Sequence, residues 1–148
     1  MPPVQVGKFH LGGNFLKVII CDDYKSQSAA GADIIEKIVR EKPECCLGLA
    51  TGSSPVGMYQ ELARLCREEG LDFSKVHTVN LDEYIGLEPT HDQSYRYFMD
   101  SNLFDHINID KKNTYVAKGM RTRKSLTRAP LTQTPVSSPP ATKSPATR

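Results

Sequence analysis

The chain has 148 residues, about the size of one ordinary domain. Apolar residues make up 39% and charged residues 24%, and no apolar run approaches the roughly 20 residues that span a bilayer. The first residues also lack a basic segment followed by an apolar one, so we expect a soluble, cytoplasmic protein with no membrane association.

The formal net charge of +2 is the sum of two unlike parts. Residues 1–110 carry 10 Lys and Arg against 17 Asp and Glu, whereas residues 111–148 carry 9 Lys and Arg and no acid. We therefore divide the chain into an N-terminal extension (1–15), a structured region (16–119) and a basic tail (120–148). Within the tail, 15 of the 28 residues from 121 onward are Pro, Ser or Thr, which predicts disorder.

The four cysteines are Cys21, Cys45, Cys46 and Cys66, and they have no Cys-x-x-Cys spacing. This pattern favours buried free thiols in a reducing compartment over a disulfide or a zinc site. We therefore expect no metal. The basic tail would suit nucleic acid, but a solvated tail without that role is the simpler interpretation.

The structured region begins with a short apolar run, residues 16–21, that predicts a buried strand. The next segment predicts a helix that Pro43 ends, because its apolar residues recur at helical spacing: Ala30, Ile34, Ile35 and Ile38. Residues 45–50 predict a second buried strand, which leads directly into Thr-Gly-Ser-Ser-Pro at residues 51–55.

A helix follows this loop, with Ser54 as its cap, Pro55 at its first position and Gly70 at its end. It has one apolar face, made by Met58, Tyr59, Leu62, Leu65 and Cys66. Residues 76–81 predict a third strand, and residues 92–104 predict another helix from the spacing of their apolar side chains.

Strands that alternate with helices indicate an α/β fold, because a parallel crossover needs a helix to return the chain. We predict a Rossmann-like parallel sheet with flanking helices. Only three or four strands are present, so the sheet is expected to be truncated.

Two loops follow predicted strands, and ligands of open α/β sheets bind at this edge. The loop at residues 51–55 has a glycine, hydroxyl groups and a helix start, which suits a phosphate as well as it suits a simple capped turn. The second loop places Asp82 and Glu83 side by side. One acid at such an edge is a candidate general base, and a solvated acidic turn is the alternative.

Five blocks of sequence carry a resemblance, at residues 47–55, 71–76, 80–87, 91–99 and 104–109. The most specific are Asn-Leu-Asp-Glu-Tyr-Ile-Gly-Leu (80–87) and His-Asp-Gln-Ser-Tyr (91–95). In order and spacing they resemble the N-terminal half of glucosamine-6-phosphate deaminase. On this resemblance, residues 16–119 are the N-terminal half of a sugar-phosphate isomerase and deaminase domain.

The resemblance implies the conversion of glucosamine 6-phosphate and water into fructose 6-phosphate and ammonia, with no metal or organic cofactor. It assigns the proton transfer between C2 and C1 to Asp82. It also assigns binding of the sugar phosphate to the loop after the second strand, at Thr51, Gly52, Ser53 and Ser54. Glu83 is expected to be structural, and Tyr84 and His91 to have packing or capping roles.

The family pattern continues beyond the matched blocks with further catalytic and phosphate-binding residues, whereas this chain continues with the basic tail. We therefore expect the chain to be inactive or impaired as a deaminase. Two alternatives stay open, an enzyme similar to 6-phosphogluconolactonase and a non-catalytic fragment that binds a phosphosugar. The partner expected in each case is a small phosphosugar, and full-length members of the family leave a homo-oligomer open.

Overall fold

The computed structural model describes residues 5–11 and 14–119, with side-chain burial from residue 18 onward. The disorder predicted for residues 120–148 lies outside the described residues. The strands are β1 (Gln5–Leu11), β2 (Asn14–Ile20), β3 (Cys46–Leu49), β4 (His77–Asn80) and β5 (Thr114–Tyr115). The α-helices are α1 (Tyr24–Glu41), α2 (Val56–Glu69) and α3 (Tyr95–Asn102).

Strands β3, β4 and β5 form a parallel sheet in that order. Leu49 of β3 is in register with Asn80 of β4, and Thr78 of β4 is in register with Thr114 of β5. Helix α2 connects β3 to β4, and α3 lies between β4 and β5. The predicted α/β fold with a parallel sheet is therefore confirmed. The two-residue strand β5 was not predicted individually.

Strand β2 corresponds to the strand predicted at residues 16–21, but it does not join the parallel sheet. It pairs antiparallel with β1 in a separate two-stranded sheet, and Ile20 is 59% exposed. The prediction of a buried parallel strand is therefore wrong in this structure. An antiparallel neighbour needs only a short connection, and β1 supplies one immediately before β2 in the chain.

Asp23 caps the start of helix α1, and its carboxylate accepts a hydrogen bond from the Ser26 N–H at 2.6 Å. The hydrogen bond at this first turn lowers the pKa of the Asp23 carboxyl. The buried face of α1 consists of Ser28, Ala32 and Val39, with Ile35 partly buried.

Ile34 and Ile38 of α1 are exposed, so the apolar face assigned to this helix from its spacing was only partly right. Ala32 and Val39 define the buried face, and at 100° per residue Ile34 and Ile38 point about 100° or more away from it. The buried face is therefore rotated around the helix from the face that the spacing predicted.

Helix α2 matches its predicted apolar face, since Tyr59, Leu62 and Leu65 are buried and Met58 and Cys66 pack against the core. It ends at Gly70, whose φ of 66° is left-handed, as the predicted glycine cap requires. Helix α3 is shorter than predicted. It begins after Ser94, and a one-turn 3-10 helix, Phe104–His106, follows Leu103.

The core lies on one face of the parallel sheet. The side chains of Leu47 and Leu49 are buried there against α2, and α3 adds Met99. On the opposite face Val79 and Tyr115 are exposed in the part of the chain that the structure describes. Parallel sheets usually bury both faces. The described helices cover one face of this sheet.

We predict that Gly57→Ala destabilises the contact between α1 and α2. A Cβ at Gly57 would overlap Ser28 Oγ and lie 2.9 Å from Tyr24 Cε1. The expected loss is about 1–3 kcal/mol in the free energy of unfolding, measured by urea titration. Gly48→Ala is the control, because a Cβ there meets nothing within 4 Å. Equal stability of the two variants would contradict this account.

Candidate active site at the carboxyl end of the sheet

An open recess of about 380 Å³ lies where β3 and β4 end. Thr51 lines it on the β3 side and Asp82 on the β4 side. The remaining lining residues are Gly48, Leu49, Ala50, Asn80 and Leu81. Because β3 and β4 are parallel and adjacent, their carboxyl ends bring the two loops selected from the sequence to one place.

The loop at residues 51–54 bends at Gly52, whose φ is 96°. This conformation favours glycine and leaves the backbone free of a side chain. Ser53 and Ser54 are exposed. Of the residues in this loop, Thr51 lines the recess. Gly52, Ser53 and Ser54 follow it along the chain, outside the lining.

Ser54 does not cap α2, so the predicted serine cap is wrong. The cap position belongs to Pro55, and no side chain of that residue bonds to the helix. Instead, the Tyr24 hydroxyl accepts a hydrogen bond from the Gly57 N–H at 2.8 Å. The same hydroxyl is 3.0 Å from the Ser53 carbonyl oxygen, to which it donates. A distant side chain from α1 therefore holds both the helix start and the loop.

Tyr59 holds the other end of this loop. Its side chain is fully buried, and its hydroxyl donates to the Ala50 carbonyl oxygen at 2.6 Å. Burial raises the pKa of Tyr59 to about 12, while the hydrogen bond to Ala50 acts in the opposite direction. The phenol is therefore a structural anchor that stays neutral.

Glu83 fixes the second loop to the start of α3. Its carboxylate accepts hydrogen bonds from the Tyr95 and Arg96 N–H groups, both at 2.9 Å, and from the Ser94 hydroxyl at 2.7 Å. Partial burial raises the pKa of Glu83, but these hydrogen bonds, with one from the Tyr84 N–H, lower it to a net value below the usual one. The structural role expected for Glu83 agrees with these contacts.

The same loop is also held from behind. The Gly86 N–H donates to the Gly119 carbonyl oxygen at 2.9 Å, and Gly119 is buried against the loop backbone. His91 lies in the turn before α3, where its Nδ1 accepts from the Gln93 N–H at 3.1 Å. This contact fits the capping role expected for His91.

Asp82 lines the recess and is exposed, so its carboxylate is in contact with solvent on the open side. Two tyrosines stand close to it. The Tyr95 hydroxyl donates to the Tyr84 hydroxyl at 3.2 Å, and their ring centroids are 4.8 Å apart.

The pKa of Tyr95 is raised above its usual value. The hydrogen bond to Tyr84 raises it most, followed by burial and by the negative charges of Tyr84 and Asp82. Thr51 acts on the same phenol and lowers its pKa. The two paired tyrosines therefore stand beside Asp82 on the β4 side of the recess, and Thr51 lines it on the β3 side.

Sequence reasoning selected Thr51 and Asp82 and missed the side chains that position them: Tyr24, Tyr59, Asn80 and Tyr95. Tyr59 had been assigned only to an apolar helix face, Asn80 only to a predicted strand and a block of the resemblance, and Tyr24 to nothing. Their contacts join residues 9 to 33 positions apart in sequence, and no local pattern marks them. The sequence offered one signal for these contacts: Asn80 lies at the end of a predicted strand, and Tyr24 follows another.

A larger recess, of about 520 Å³, lies between α1 and α2. Its lining includes six carboxylates, at Asp22, Asp23, Asp33, Glu36, Glu61 and Glu69. Two basic residues, Lys25 and Arg64, accompany them. The excess of negative charge disfavours a phosphate there, so the smaller recess at the sheet edge is the better candidate site.

In residues 5–11 and 14–119 no helix is long and apolar enough to cross a membrane. The same search range contains no group of three or more His, Cys, Asp or Glu side chains arranged to hold a metal ion.

Comparison with known proteins connects this site to one family. The sequence model of the glucosamine-6-phosphate isomerases and 6-phosphogluconolactonases matches residues 24–135. The chain belongs to this family. Both loops of the candidate site lie within the matched residues.

Several proteins named glucosamine-6-phosphate deaminase are similar in sequence to this chain. A Clostridium perfringens protein is 54% identical over 105 residues, which is 71% of this chain and 43% of that protein. A Giardia intestinalis protein is 59% identical over 101 residues, covering 67% of this chain and 38% of the relative. The chain therefore spans about two fifths of the length of these curated relatives.

Solved structures agree with the family. A monomeric glucosamine-6-phosphate deaminase superposes with a TM-score of 0.69 at 37% identity, covering 72% of this chain and 44% of that one. A 6-phosphogluconolactonase from Thermotoga maritima has a TM-score of 0.57 at 20% identity, covering 72% of this chain and 47% of the other. The second likeness shows a shared fold.

We predict that Tyr59→Phe lowers the free energy of unfolding by about 1–2 kcal/mol at pH 8, because the Ala50 carbonyl loses its partner. Tyr59 has a higher pKa in the folded chain, about 12, than the usual value near 10. Its contribution is therefore complete below pH 10 and is lost as pH rises through 12.

Urea titrations at pH 8 and pH 11 test this expectation. The unmodified chain should lose about 1.4 kcal/mol more between the two pH values than Tyr59→Phe does. An equal loss in both proteins would show that the phenol is not buried as described.

We predict that Glu83→Gln lowers the free energy of unfolding by about 1–2 kcal/mol, because an amide cannot accept all the hydrogen bonds at the start of α3. Asp82→Asn is the matched control and should stay within about 0.5 kcal/mol, since it changes an exposed neighbouring carboxylate.

Acid titration gives a second measurement. The folded pKa of Glu83 is below its usual value, so the stability it adds is present above that usual value and is lost as pH falls through the folded pKa. Glu83→Gln should therefore flatten the acid limb of the stability profile. A variant with an unchanged acid limb would remove Glu83 from this role.

Proposed function

We propose that this chain carries the proton-transfer base and the first phosphosugar-binding loop of a glucosamine-6-phosphate deaminase. The observation that supports the proposal most directly is the recess lined by both Thr51 and Asp82. A carboxylate and a hydroxyl-rich loop at the end of a parallel sheet suit a sugar phosphate. The similarity to the named deaminases gives the substrate class.

In the proposed reaction Asp82 takes the C2 proton of the open-chain amino sugar and returns it to C1. The double bond passes from C1=O to C1=C2 as O1 gains a proton and the C2 ammonium loses one, and it then passes to C2=N as Asp82 protonates C1. Water hydrolyses that imine. The products are fructose 6-phosphate and ammonia, so the atoms balance without a redox partner. The exposure of Asp82 gives it access to substrate from the open side of the recess.

In this proposal the loop at residues 51–54 binds the phosphate end. Thr51, Ser53 and Ser54 offer hydroxyl donors, and the left-handed conformation of Gly52 lets a ligand approach the backbone closely. The first-turn N–H of Gly57 is already bonded to Tyr24, so the hydroxyl groups and loop backbone would provide the contacts. The partner is thus a small phosphosugar.

An activity similar to 6-phosphogluconolactonase is the second candidate, because the family includes both enzymes. The blocks at residues 80–87 and 91–95 favour the deaminase. The structural likeness to the lactonase, at 20% identity, supports the fold alone. A non-catalytic phosphosugar-binding role for this chain is the third outcome that the experiment below separates.

We place this activity in the cytoplasm. All four cysteines are free thiols in the structure, which is typical of a reducing compartment. The expectation that they are buried is wrong, since Cys46 is exposed and the other three are only partly buried.

The proposed function predicts that the purified chain binds glucosamine 6-phosphate, measured by isothermal titration calorimetry. Asp82→Asn should bind within about threefold, because the amide keeps the shape of the acid. Exchange of the C2 hydrogen with solvent deuterium, followed by NMR, should fall to background in that variant. Ammonia release by the unmodified chain should be at or near background, since residues that act as a unit lose activity together.

Each result has a distinct meaning. Lack of binding by the unmodified chain would overturn the proposed site. Binding without exchange, or exchange that survives in Asp82→Asn, would remove the base role from Asp82 and leave a binding fragment. Robust ammonia release would show that this chain is a complete catalyst.

A further inference from the structure

We infer that Asn80 is a specificity-determining residue whose side-chain oxygen accepts a hydrogen bond from the group at C2 of the sugar. This inference rests on the proposed function and adds a second polar contact to the site. It arises from one buried atom that has no hydrogen-bond partner in the part of the chain that the structure describes.

Asn80 is the last residue of β4, two positions before Asp82, and only 5% of it is exposed. Its Nδ2 donates to the Leu49 carbonyl oxygen of β3 at 2.9 Å. A carbonyl oxygen can only accept, so this contact determines which end of the amide is nitrogen. The Oδ1 atom is buried and has no hydrogen-bond partner among the residues whose side chains the structure describes.

The Oδ1 atom belongs to a residue that lines the recess with Thr51 and Asp82. Buried polar atoms normally have partners, and a buried acceptor without one destabilises the fold. A hydrogen-bond donor on a ligand in the recess would satisfy it. The atom therefore points to a ligand that carries a donor at this position.

Other buried atoms without partners do not share this placement. Thr78 Oγ1 lies on the same strand and the same face of the sheet, two residues before Asn80, and Ser28 Oγ lies between α1 and α2. Neither residue lines the recess. Thr78 is therefore a matched control for the effect of an unpaired buried hydroxyl on stability alone.

The position of the donor on the sugar follows from Asp82. If Asp82 transfers the proton at C2, a side chain from the same strand end lies beside that carbon. Glucosamine 6-phosphate has an ammonium at C2 and glucose 6-phosphate has a hydroxyl, and both can donate. In 2-deoxyglucose 6-phosphate C2 has no donor, so a site built around Asn80 should discriminate against it.

The test is calorimetric binding of four ligands to the full chain: glucosamine 6-phosphate, glucose 6-phosphate, 2-deoxyglucose 6-phosphate and inorganic phosphate. The unmodified chain should bind glucosamine 6-phosphate about tenfold more tightly than the 2-deoxy sugar, as one buried hydrogen bond allows. Glucose 6-phosphate, whose C2 hydroxyl can also donate, should bind about as tightly as glucosamine 6-phosphate, and an affinity as low as that of the 2-deoxy sugar would contradict the inference.

Asn80→Ala should reduce the discrimination to about twofold or less and leave inorganic phosphate binding unchanged. Thr78→Val should keep the full discrimination. Circular dichroism establishes that each variant is folded, and the comparison of ligands on the unmodified chain needs no variant to fold.

Equal affinity of the unmodified chain for glucosamine 6-phosphate and the 2-deoxy sugar would overturn the role of Asn80 and leave the proposed function standing. Discrimination that persists in Asn80→Ala would do the same. Lack of binding of every sugar phosphate by the unmodified chain would overturn both.

Discussion

The parallel pairing of β3 with β4 is the interaction on which the candidate site depends. It places Leu49 in register with Asn80, so the loops that follow both strands leave the sheet at one edge. The side-chain amide of Asn80 stabilises this register by donating a hydrogen bond to the Leu49 carbonyl oxygen. A shift of the register would separate Thr51 from Asp82. The chemistry proposed for this chain is therefore a consequence of backbone hydrogen bonding in a sheet of three short strands.

Hydrogen bonds made by polar side chains hold both loops in place. Tyr24 and Tyr59 hold the loop at residues 51–54, and the Glu83 carboxylate holds the loop after β4 against the start of α3. The adjacent acids Asp82 and Glu83 have different roles because their surroundings differ. Glu83 is partly buried and bonded to several N–H groups, whereas Asp82 is exposed beside the recess. One carboxylate is used for structure, and its neighbour remains available to a ligand.

The described helices cover one face of the parallel sheet, and this arrangement explains why the site is open. Leu81 lines the recess and is 94% exposed, and Val79 is exposed on the sheet face beside it. Apolar side chains at such positions are normally covered in parallel sheets. The chain spans about two fifths of its curated relatives, so the deaminase function attributed to it is proposed for the part of the site that these residues form.

The sequence alone determined the order of α1, β3, α2, β4 and α3, since apolar periodicity and glycine or proline signals are local. It also selected Thr51 and Asp82, because unusual loop residues follow predicted strands. Only the tertiary structure decided the partner of β2, the cap of α2 by Tyr24 and the orientation of the Asn80 amide. These three features depend on contacts between distant parts of the chain, and such contacts leave no periodic trace in the sequence.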